Sequence, residues 1–267
     1  MTGENQATGD GGIQSTKTSF AVVHALEELG PARLSEIADH LELAESTTHR
    51  HLSTLRDLRY VSKDGEMYQI GLRFVRLGRG ARTRDSAYEQ VEPYVQTLAD
   101  ETDERAQFVV EEHGLGTYLH MGTGDRAVRV VFGVGHQIHL HCSSAGKAIL
   151  SQYPRDRVDE VVDRWGLPAH TDKTITEREN LHAELEATAE RGVAFNREEH
   201  VEGINAAGVP VVRDGTVLGA IAVAGPSHRL TGERLEETLP NAMLAAVNEL
   251  ELNITYDGQN AADYVVE

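Results

Sequence analysis

The sequence predicts an α+β protein with two domains joined by a helix, and three observations support this prediction. The first 70 residues show apolar side chains at helical spacing, followed by one hairpin signal. From residue 102 onwards, strand-like apolar runs alternate with helical segments. The formal net charge of -18 falls on residues 85–267, which hold 14 Lys+Arg and 32 Asp+Glu, whereas residues 1–84 hold 11 of each class.

The first domain is predicted from the order of its elements. Apolar spacing indicates helices over residues 19–30, which end at a Gly-Pro pair, and over residues 35–41. A third helix covers residues 44–55, AESTTHRHLSTL, and the alternating residues 60–70 follow with an Asp-Gly pair at their centre. Helix, helix, turn, helix and hairpin is the order of a winged helix-turn-helix. The inner face of the first helix is predicted to hold Phe20, Val23, Leu26 and Leu29.

The third predicted helix has a polar outer face. With Thr48, Leu52 and Leu55 turned inward, its hydroxyl residues and an arginine face outward. A helix that simply faces solvent would favour Glu, Lys or Ala over three consecutive hydroxyl residues, whereas short hydroxyls and one arginine suit base and phosphate contacts in the major groove. The residues expected to contact DNA are Ser35, as the cap of the second helix, Ser46, Thr47, His49, Arg50, Ser53, Lys63 and Arg73.

Local charge is consistent with DNA binding. Residues 67–84 carry five arginines and no acidic residue. Screening limits charge effects to roughly 8 Å at physiological salt, so a basic face can meet a polyanion although the whole chain is acidic. A solvated arginine stripe that begins the next helix explains this segment equally well.

Composition indicates the cellular setting. The single cysteine, Cys142, excludes an intrachain disulfide and fits a reducing compartment. The polar start lacks the regions of a signal peptide, and no apolar run is long enough to cross a membrane, so we expect a cytoplasmic protein without a membrane partner. Only four of the 25 basic residues are lysines, and this acidic, lysine-poor composition is typical of a salt-loving organism. We therefore expect a halophilic archaeal source.

The second domain is predicted to mix strands and helices. Residues 1–14 and 256–267 are expected to be disordered tails, residues 15–78 the first domain, 79–101 a linker helix and 102–255 the second domain. Within it, strand-like runs cover residues 106–114, 116–124, 127–135 and 136–142, helices cover 143–153, 154–166 and 177–192, and a hairpin over 209–225 precedes a last helix over 232–252.

Three segments resemble one family. The segment LSEIADHLELAESTTHRHLSTLRDLRYVSKDGEMYQIGLRFVRLG is similar to the DNA-binding domain of IclR-type transcriptional regulators. HCSSAGKAILS resembles that family's effector-loop segment, and FNREEHVEGINAAGVPVVRDGTVLGAIAVAGP resembles its C-terminal signature. The resemblance implies a winged helix-turn-helix, a linking helix and a GAF-like α/β effector-binding domain. It also implies a homodimer or homotetramer that binds a palindromic operator and regulates a catabolic operon or gene set, by repression or activation.

A binding pocket is expected in the second domain. Ser143 and Ser144 stand where a strand turns into a helix, so their hydroxyls and free N–H groups can hold a small anion. Relatives with small-acid ligands use an acid, a cysteine and a serine where this chain has Asn196, Ala206 and Ala222, so we expect an effector that is larger, or none. The resemblance implies a sugar-derived or aromatic acid as the class of effector. The residues expected to line the pocket are Met121, Ser143, Ser144, Ala145, Asn196, Ala206 and Ala222.

Other chemistry finds little support. The GKA at residues 146–148 lacks the spacing of a phosphate loop, and no nucleophile elbow occurs there, so no catalytic residue and no cofactor is expected. In the run HQIHLHC, residues 136–142, His139 and His141 would share a strand face with Cys142 opposite. Clustered histidines are more often structural, and we expect no metal, although the sequence leaves metal binding by His136, His139, His141 and Cys142 open.

The remaining alternatives are a GAF-like enzyme or metal-binding sensor with an accessory winged domain, and an architectural DNA-binding protein without a ligand. The enzyme would need a set of acid, base and nucleophile that the sequence does not supply.

Overall fold

The chain divides into two units between Arg84 and Asp85. The structure, a computed structural model, describes residues 12–127 and 132–263. The expected N-terminal tail lies outside the described residues as far as residue 11, and the first helix begins at Gln14.

The first unit is a winged helix-turn-helix, as predicted. Three helices and a three-stranded antiparallel sheet, with strand order β1-β3-β2, precede a fourth helix. Its elements are α1 (Gln14–Leu29), β1 (Ala32–Arg33), α2 (Leu34–His40), α3 (Glu45–Asp57), β2 (Val61–Asp64), β3 (Met67–Ile70) and α4 (Arg73–Arg82).

The buried face of α1 differs from the predicted one. Phe20 and Leu29 are 56% and 42% exposed, while Val23 and Leu26 are buried as expected. The core instead takes Val22 and Ala25, because the set at positions 22, 23, 25 and 26 defines an inward stripe that is rotated from the predicted one by roughly 50°.

Two local predictions in this unit need correction. Ser35 is the second residue of α2 and not its cap, because the helix begins after Arg33, whose backbone N–H donates to the Glu36 carboxylate at 2.6 Å. The wing hairpin is confirmed, but Asp64 pairs with Met67, so its two loop residues are Gly65 and Glu66.

The predicted linker helix over residues 79–101 is interrupted. The structure has α4 as far as Arg82 and a separate α5 (Ser86–Thr102), which packs within the second unit. Asp85 starts the new helix, because its carboxylate accepts the N–H of Ala87 at 3.0 Å. Both Asp85 oxygens also accept from the Arg213 guanidinium, at 2.9 and 2.8 Å.

The second unit is a six-stranded antiparallel sheet between two helical layers. Its strand order is β6-β5-β4-β9-β8-β7, and α5 and α9 pack on one face while α6, α7 and α8 pack on the other. The remaining elements are β4 (Arg105–Glu112), β5 (Leu115–Thr123), β6 (Gln137–His139), α6 (Ser144–Leu150), α7 (Arg155–Trp165), α8 (Arg178–Arg191), β7 (Ala194–Arg197), β8 (Ile204–Arg213), β9 (Thr216–Pro226), a π-helical turn (Arg234–Thr238) and α9 (Leu239–Asp263).

The boundaries of three predicted segments differ from the structure. Of the predicted strand over residues 127–135, residues 128–131 lie outside the described part, and residues 132–136 are not a strand. The next predicted strand is shortened to Gln137–His139. The last helix continues to Asp263, so the expected tail is helical as far as that residue; its apolar stripe still holds Ile254 in the core, and no proline follows to end it.

A buried ion pair fixes the position of α6. Lys147 is 1% exposed, and its Nζ donates to both carboxylate oxygens of Glu199 at 2.7 Å. The Glu184 carboxylate of α8 lies 3.7 Å from the same nitrogen. Burial raises the pKa of Glu199, and the opposing effect of Lys147 favours the charged carboxylate. The pair therefore joins α6 to the segment after β7.

Replacing Lys147 with Met leaves a buried carboxylate without its cation. We expect the free energy of unfolding of the second unit to fall by about 3–5 kcal/mol, the usual cost of breaking a buried ion pair from one side. Chemical denaturation followed by tryptophan fluorescence measures this change, because the single tryptophan, Trp165, lies in the second unit.

The matched control is Lys173→Met, which removes the exposed pair between Lys173 and Glu198 at 2.6 Å. That change should cost less than about 1 kcal/mol. The double variant Lys147→Met/Glu199→Leu should recover much of the loss. Equal losses in the two single variants would show that burial of the pair has no special role.

Candidate DNA-binding and effector sites

The outer face of α3 has the composition and exposure of a recognition helix. Thr48, Leu52 and Leu55 are buried as predicted, which turns the opposite side of the helix to solvent. Arg50 is exposed, and its guanidinium has no hydrogen-bond or ion-pair partner among the described residues. The predicted residues that the structure brings together on this outer side are Ser46, Thr47, His49, Arg50 and Ser53.

The other three predicted DNA contacts lie on different elements. Ser35 is exposed on α2, and Lys63, on the wing strand β2, lies over the Tyr68 ring at 4.9 Å. The Arg73 guanidinium donates to the Leu58 carbonyl at 2.7 Å and lies 4.9 Å from the Tyr60 ring centroid. Arg73 thus stabilises the end of α3.

The predicted effector residues on strands share one face of the six-stranded sheet. Gln107 of β4 lies opposite Met121 of β5 on one side and opposite Ala222 of β9 on the other, and Asn196 lies opposite Ala206. The helix α6, which starts at Ser144, packs on this face, where Gly208 leaves room for it: an added Cβ there would lie 2.6 Å from the Ser144 carbonyl carbon. Ser143, Ser144 and Ala145 therefore converge with the strand residues.

Two polar side chains of the expected pocket are already hydrogen-bonded within the fold. The Ser143 hydroxyl accepts from Gly146 N–H at 3.0 Å and caps a helix of only seven residues. The Asn196 amide donates to the Cys142 carbonyl and accepts from Glu199 N–H, each at 2.9 Å. Of the Ser143 and Ser144 hydroxyls expected to hold an anion, that of Ser143 is therefore engaged within the fold, and the pocket-lining Asn196 is engaged as well.

Arg105 supplies a charge that sequence reasoning missed. It is the first residue of β4, it is 6% exposed, and it lies on the same sheet face as Ala222 because it pairs with Ala224. Its guanidinium donates to the Phe132 carbonyl at 3.0 Å and to the Met121 sulfur at 3.6 Å.

No carboxylate among the described residues pairs with the Arg105 guanidinium, and its Nε has no partner there. Burial lowers the pKa of Arg105. An arginine at the start of a strand as apolar as RAQFVV was the signal available in the sequence.

Four histidines and the single cysteine gather near the start of α6. The strand β6 ends at His139, so His139 and His141 do not share a strand face as predicted. Ligand atoms of His141, Cys142 and His170 all lie within 4.8 Å of one another. His200 Nδ1 lies 3.5 Å from Cys142 Sγ.

His136 is separate from this group and stacks on Phe132, with ring centroids 4.4 Å apart. Sequence reasoning missed His170 and His200, which reach the group from distant loops.

Burial changes the ionisation of this group. It lowers the pKa of both His141 and His200 to about 4 and raises the pKa of the Cys142 thiol to about 12. At neutral pH these imidazoles are neutral and the thiol is protonated.

Two open clefts lie elsewhere in the second unit. One, of about 590 Å³, is lined by α9 residues and Val212, and the other, of about 290 Å³, lies beside His113 and Arg157. Neither cleft is lined by a predicted effector residue. The predicted effector residues are all buried except Met121.

Within the described ranges, no helix has both the length and the apolarity to cross a membrane.

Comparisons with known proteins cover both units. Residues 18–65 match the family model of the IclR helix-turn-helix domain, and residues 83–251 match that of the bacterial transcriptional regulator IclR C-terminal domain. The curated "Probable HTH-type transcriptional regulator ArcR" of Halobacterium salinarum is 28% identical over 247 residues, which cover 91% of this chain and 94% of that protein.

Solved structures share the fold. The IclR structure from Thermotoga maritima has a TM-score of 0.77 at 22% identity, covering 90% of this chain and 98% of that one. An IclR homolog from Microbacterium hydrocarbonoxydans, complexed with 4-hydroxybenzoate, has a TM-score of 0.72 at 21% identity, covering 88% and 98%. Because the two family matches span both units, the chain belongs to the IclR family of DNA-binding transcriptional regulators, which are not enzymes.

Proposed function

We propose that this regulator binds a palindromic operator as a homodimer or homotetramer and responds to a small organic anion held by Arg105. The observation that carries the effector proposal is a buried guanidinium without a carboxylate partner among the described residues. A buried charge is costly unless it is paired, so an anionic ligand would supply the negative charge that the Arg105 guanidinium lacks.

DNA recognition is assigned to the outer face of α3. Arg50 is exposed and its guanidinium is uncommitted within the described chain, so it can form a bidentate contact with guanine O6 and N7. The short hydroxyl residues beside it allow the helix backbone to come close to the base edges.

Arg50→Ala should weaken specific DNA binding by about 1–3 kcal/mol and relax the preference at one base position, because a bidentate base contact is worth that much. A gel-shift titration at fixed salt, with sites varied one position at a time, measures both effects. Arg56→Ala, in the last turn of the same helix, is the control and should leave the base preference unchanged. Unaltered affinity and preference in the Arg50 variant would remove α3 from base reading.

Self-association is supported by exposed apolar side chains on the first unit. Leu72 and Val75 are 85% and 69% exposed at the start of α4, where no residue is buried. A second copy of this chain would cover them, and a two-fold protein matches a palindromic site.

Light scattering at micromolar concentration should give at least twice the chain mass of 29.3 kDa. Val75→Asp should shift the protein towards the monomer, because a charge would be buried in the contact. Gln69→Asp, an exposed change on the wing, is the matched control. A monomeric wild-type protein would contradict this assembly.

The sheet face that holds Arg105 favours one class of effector. Ala222, one strand away, and Ala206, two strands away, are small and apolar, so this face favours an anion with a sizeable body, a sugar-derived or aromatic acid. The M. hydrocarbonoxydans homolog was solved with such an acid, 4-hydroxybenzoate. The ligand must favour one state of the regulator, because equal affinity for two states shifts nothing.

Arg105→Gln removes the charge and keeps a polar side chain. We expect basal DNA binding to be unchanged and the response to acids to be lost, a coupling of about 1–3 kcal/mol. DNA binding is titrated with 4-hydroxybenzoate and with gluconate, beside the control Arg126→Gln, which changes an exposed arginine. A normal acid response in the Arg105 variant would place the effector elsewhere, and a wild-type protein that responds to no acid favours a regulator without this ligand class.

The setting proposed is the cytoplasm of a halophilic archaeon, with genes of catabolism as targets. The acidic, lysine-poor composition and the similarity to the Halobacterium salinarum protein support this assignment. Mapping of bound sites across the source genome would identify the target genes.

A further inference from the structure

We propose that the second unit binds one divalent transition-metal ion of the Zn²⁺ class through His141, Cys142 and His170, with His200 as the fourth ligand. This site is distinct from Arg105 and requires neither DNA nor an organic effector. Imidazole nitrogen and thiolate sulfur are the donors that Zn²⁺, Co²⁺ and related ions prefer, and four such ligands complete a tetrahedral site.

The donor atoms are close to coordination geometry. Those of His141, Cys142 and His170 lie within 4.8 Å of one another, and His200 Nδ1 lies 3.5 Å from the Cys142 sulfur. Bonds of about 2.0–2.3 Å to a tetrahedral ion place ligand atoms roughly 3.3–3.8 Å apart. Shifts of about 1 Å, largely by the exposed side chain of His170, would therefore close the group of His141, Cys142 and His170 around an ion. His200, beside the Cys142 sulfur, would then complete the coordination.

His141 is already held by the kind of contact that metal-binding histidines make. Its Nε2 lies 3.1 Å from the Pro168 carbonyl oxygen, which can only accept, so Nε2 carries the proton. The lone pair of Nδ1 is then free for a metal. Such an outer hydrogen bond fixes the ring orientation and tautomer of most metal-binding histidines.

Hydrogen bonds also hold the loop that carries His170. The Thr171 hydroxyl donates to the Glu198 carbonyl at 2.7 Å, and the Thr174 hydroxyl donates to the Glu199 carbonyl at 2.6 Å. Thr174 in turn accepts from His170 N–H at 3.0 Å. The loop is therefore anchored to the residues directly before His200, which brings two of the four ligands together.

If the cluster of histidines and Cys142 served only packing, one of its polar atoms would remain unexplained. His200 Nε2 is buried without a hydrogen-bond partner among the described residues, so packing alone does not satisfy this imidazole, whereas coordination through Nε2 would satisfy it. The single cysteine of the chain lies in the same group, which is assembled from three separate segments. On binding, the thiol gives its proton to solvent and its sulfur forms the bond to the ion.

Metal titration of the full chain tests the proposal. After dialysis against a chelator, Co²⁺ should bind at one equivalent per chain, with the visible bands of a tetrahedral site and a thiolate-to-cobalt charge-transfer band. Zn²⁺ should displace it. His170→Ala, at an exposed position that should not disturb folding, is expected to weaken Zn²⁺ binding at least about tenfold. Cys142→Ser should abolish the charge-transfer band.

His228→Ala, which changes an exposed histidine of the same unit, is the matched control and should bind both ions like the wild type. Absence of a stoichiometric site, a cobalt spectrum without the thiolate band, or unchanged affinity in His170→Ala would overturn the proposal. DNA binding measured in the presence of chelator tests the regulator function separately, so failure of one result does not imply failure of the other.

Discussion

The ion pair between Lys147 and Glu199 determines where α6 sits, and much of the second unit's chemistry depends on that position. It holds a helix of seven residues whose own backbone bonds could not stabilise it in isolation. Asn196 accepts from Glu199 N–H and donates to the Cys142 carbonyl. These two bonds align the turn before α6 with the segment after β7, which carries Glu199. The histidine and cysteine group assembles around this junction.

Close approach of backbones is the second condition for this arrangement. A Cβ at Gly208 would lie 2.6 Å from Ser144, and one at Gly146 would lie 2.2 Å from the Leu140 carbonyl oxygen. Only glycine fits at such distances, since the obstructing atoms are backbone and cannot turn away. The small residues on this sheet face therefore make room for α6 and not only for a ligand. Packing of α6 explains why the side chains that line the expected pocket are buried.

Sequence patterns predicted the helices and hairpins that depend on the spacing of residues close together in the chain. The helices and wing of the first unit follow from local periodicity, and the hairpin at Asp214 and Gly215, with φ of 51° and 76°, follows from a turn pair that tolerates the left-handed region. The inward face of α1 was predicted incorrectly because two sets of apolar residues overlap on that helix. The start of α5 depends on Asp85, whose bond to Arg213 links positions 128 residues apart.

The functional groups that were missed are likewise brought together over long distances. Arg105 reaches the effector face through strand register, and His170 and His200 arrive from loops that periodicity does not describe. Their residue types are visible in the sequence, but their proximity depends on tertiary packing.

The sheet of the second unit ends in two short strands, β6 with three residues and β7 with four. Each of these edge strands presents few backbone groups for pairing, and short edge strands resist addition of a strand from another molecule. Joining of two copies by extension of one sheet into the next is consequently disfavoured. Under conditions that strengthen hydrophobic association, such as concentrated kosmotropic salt, short edge strands disfavour growth into β-linked aggregates.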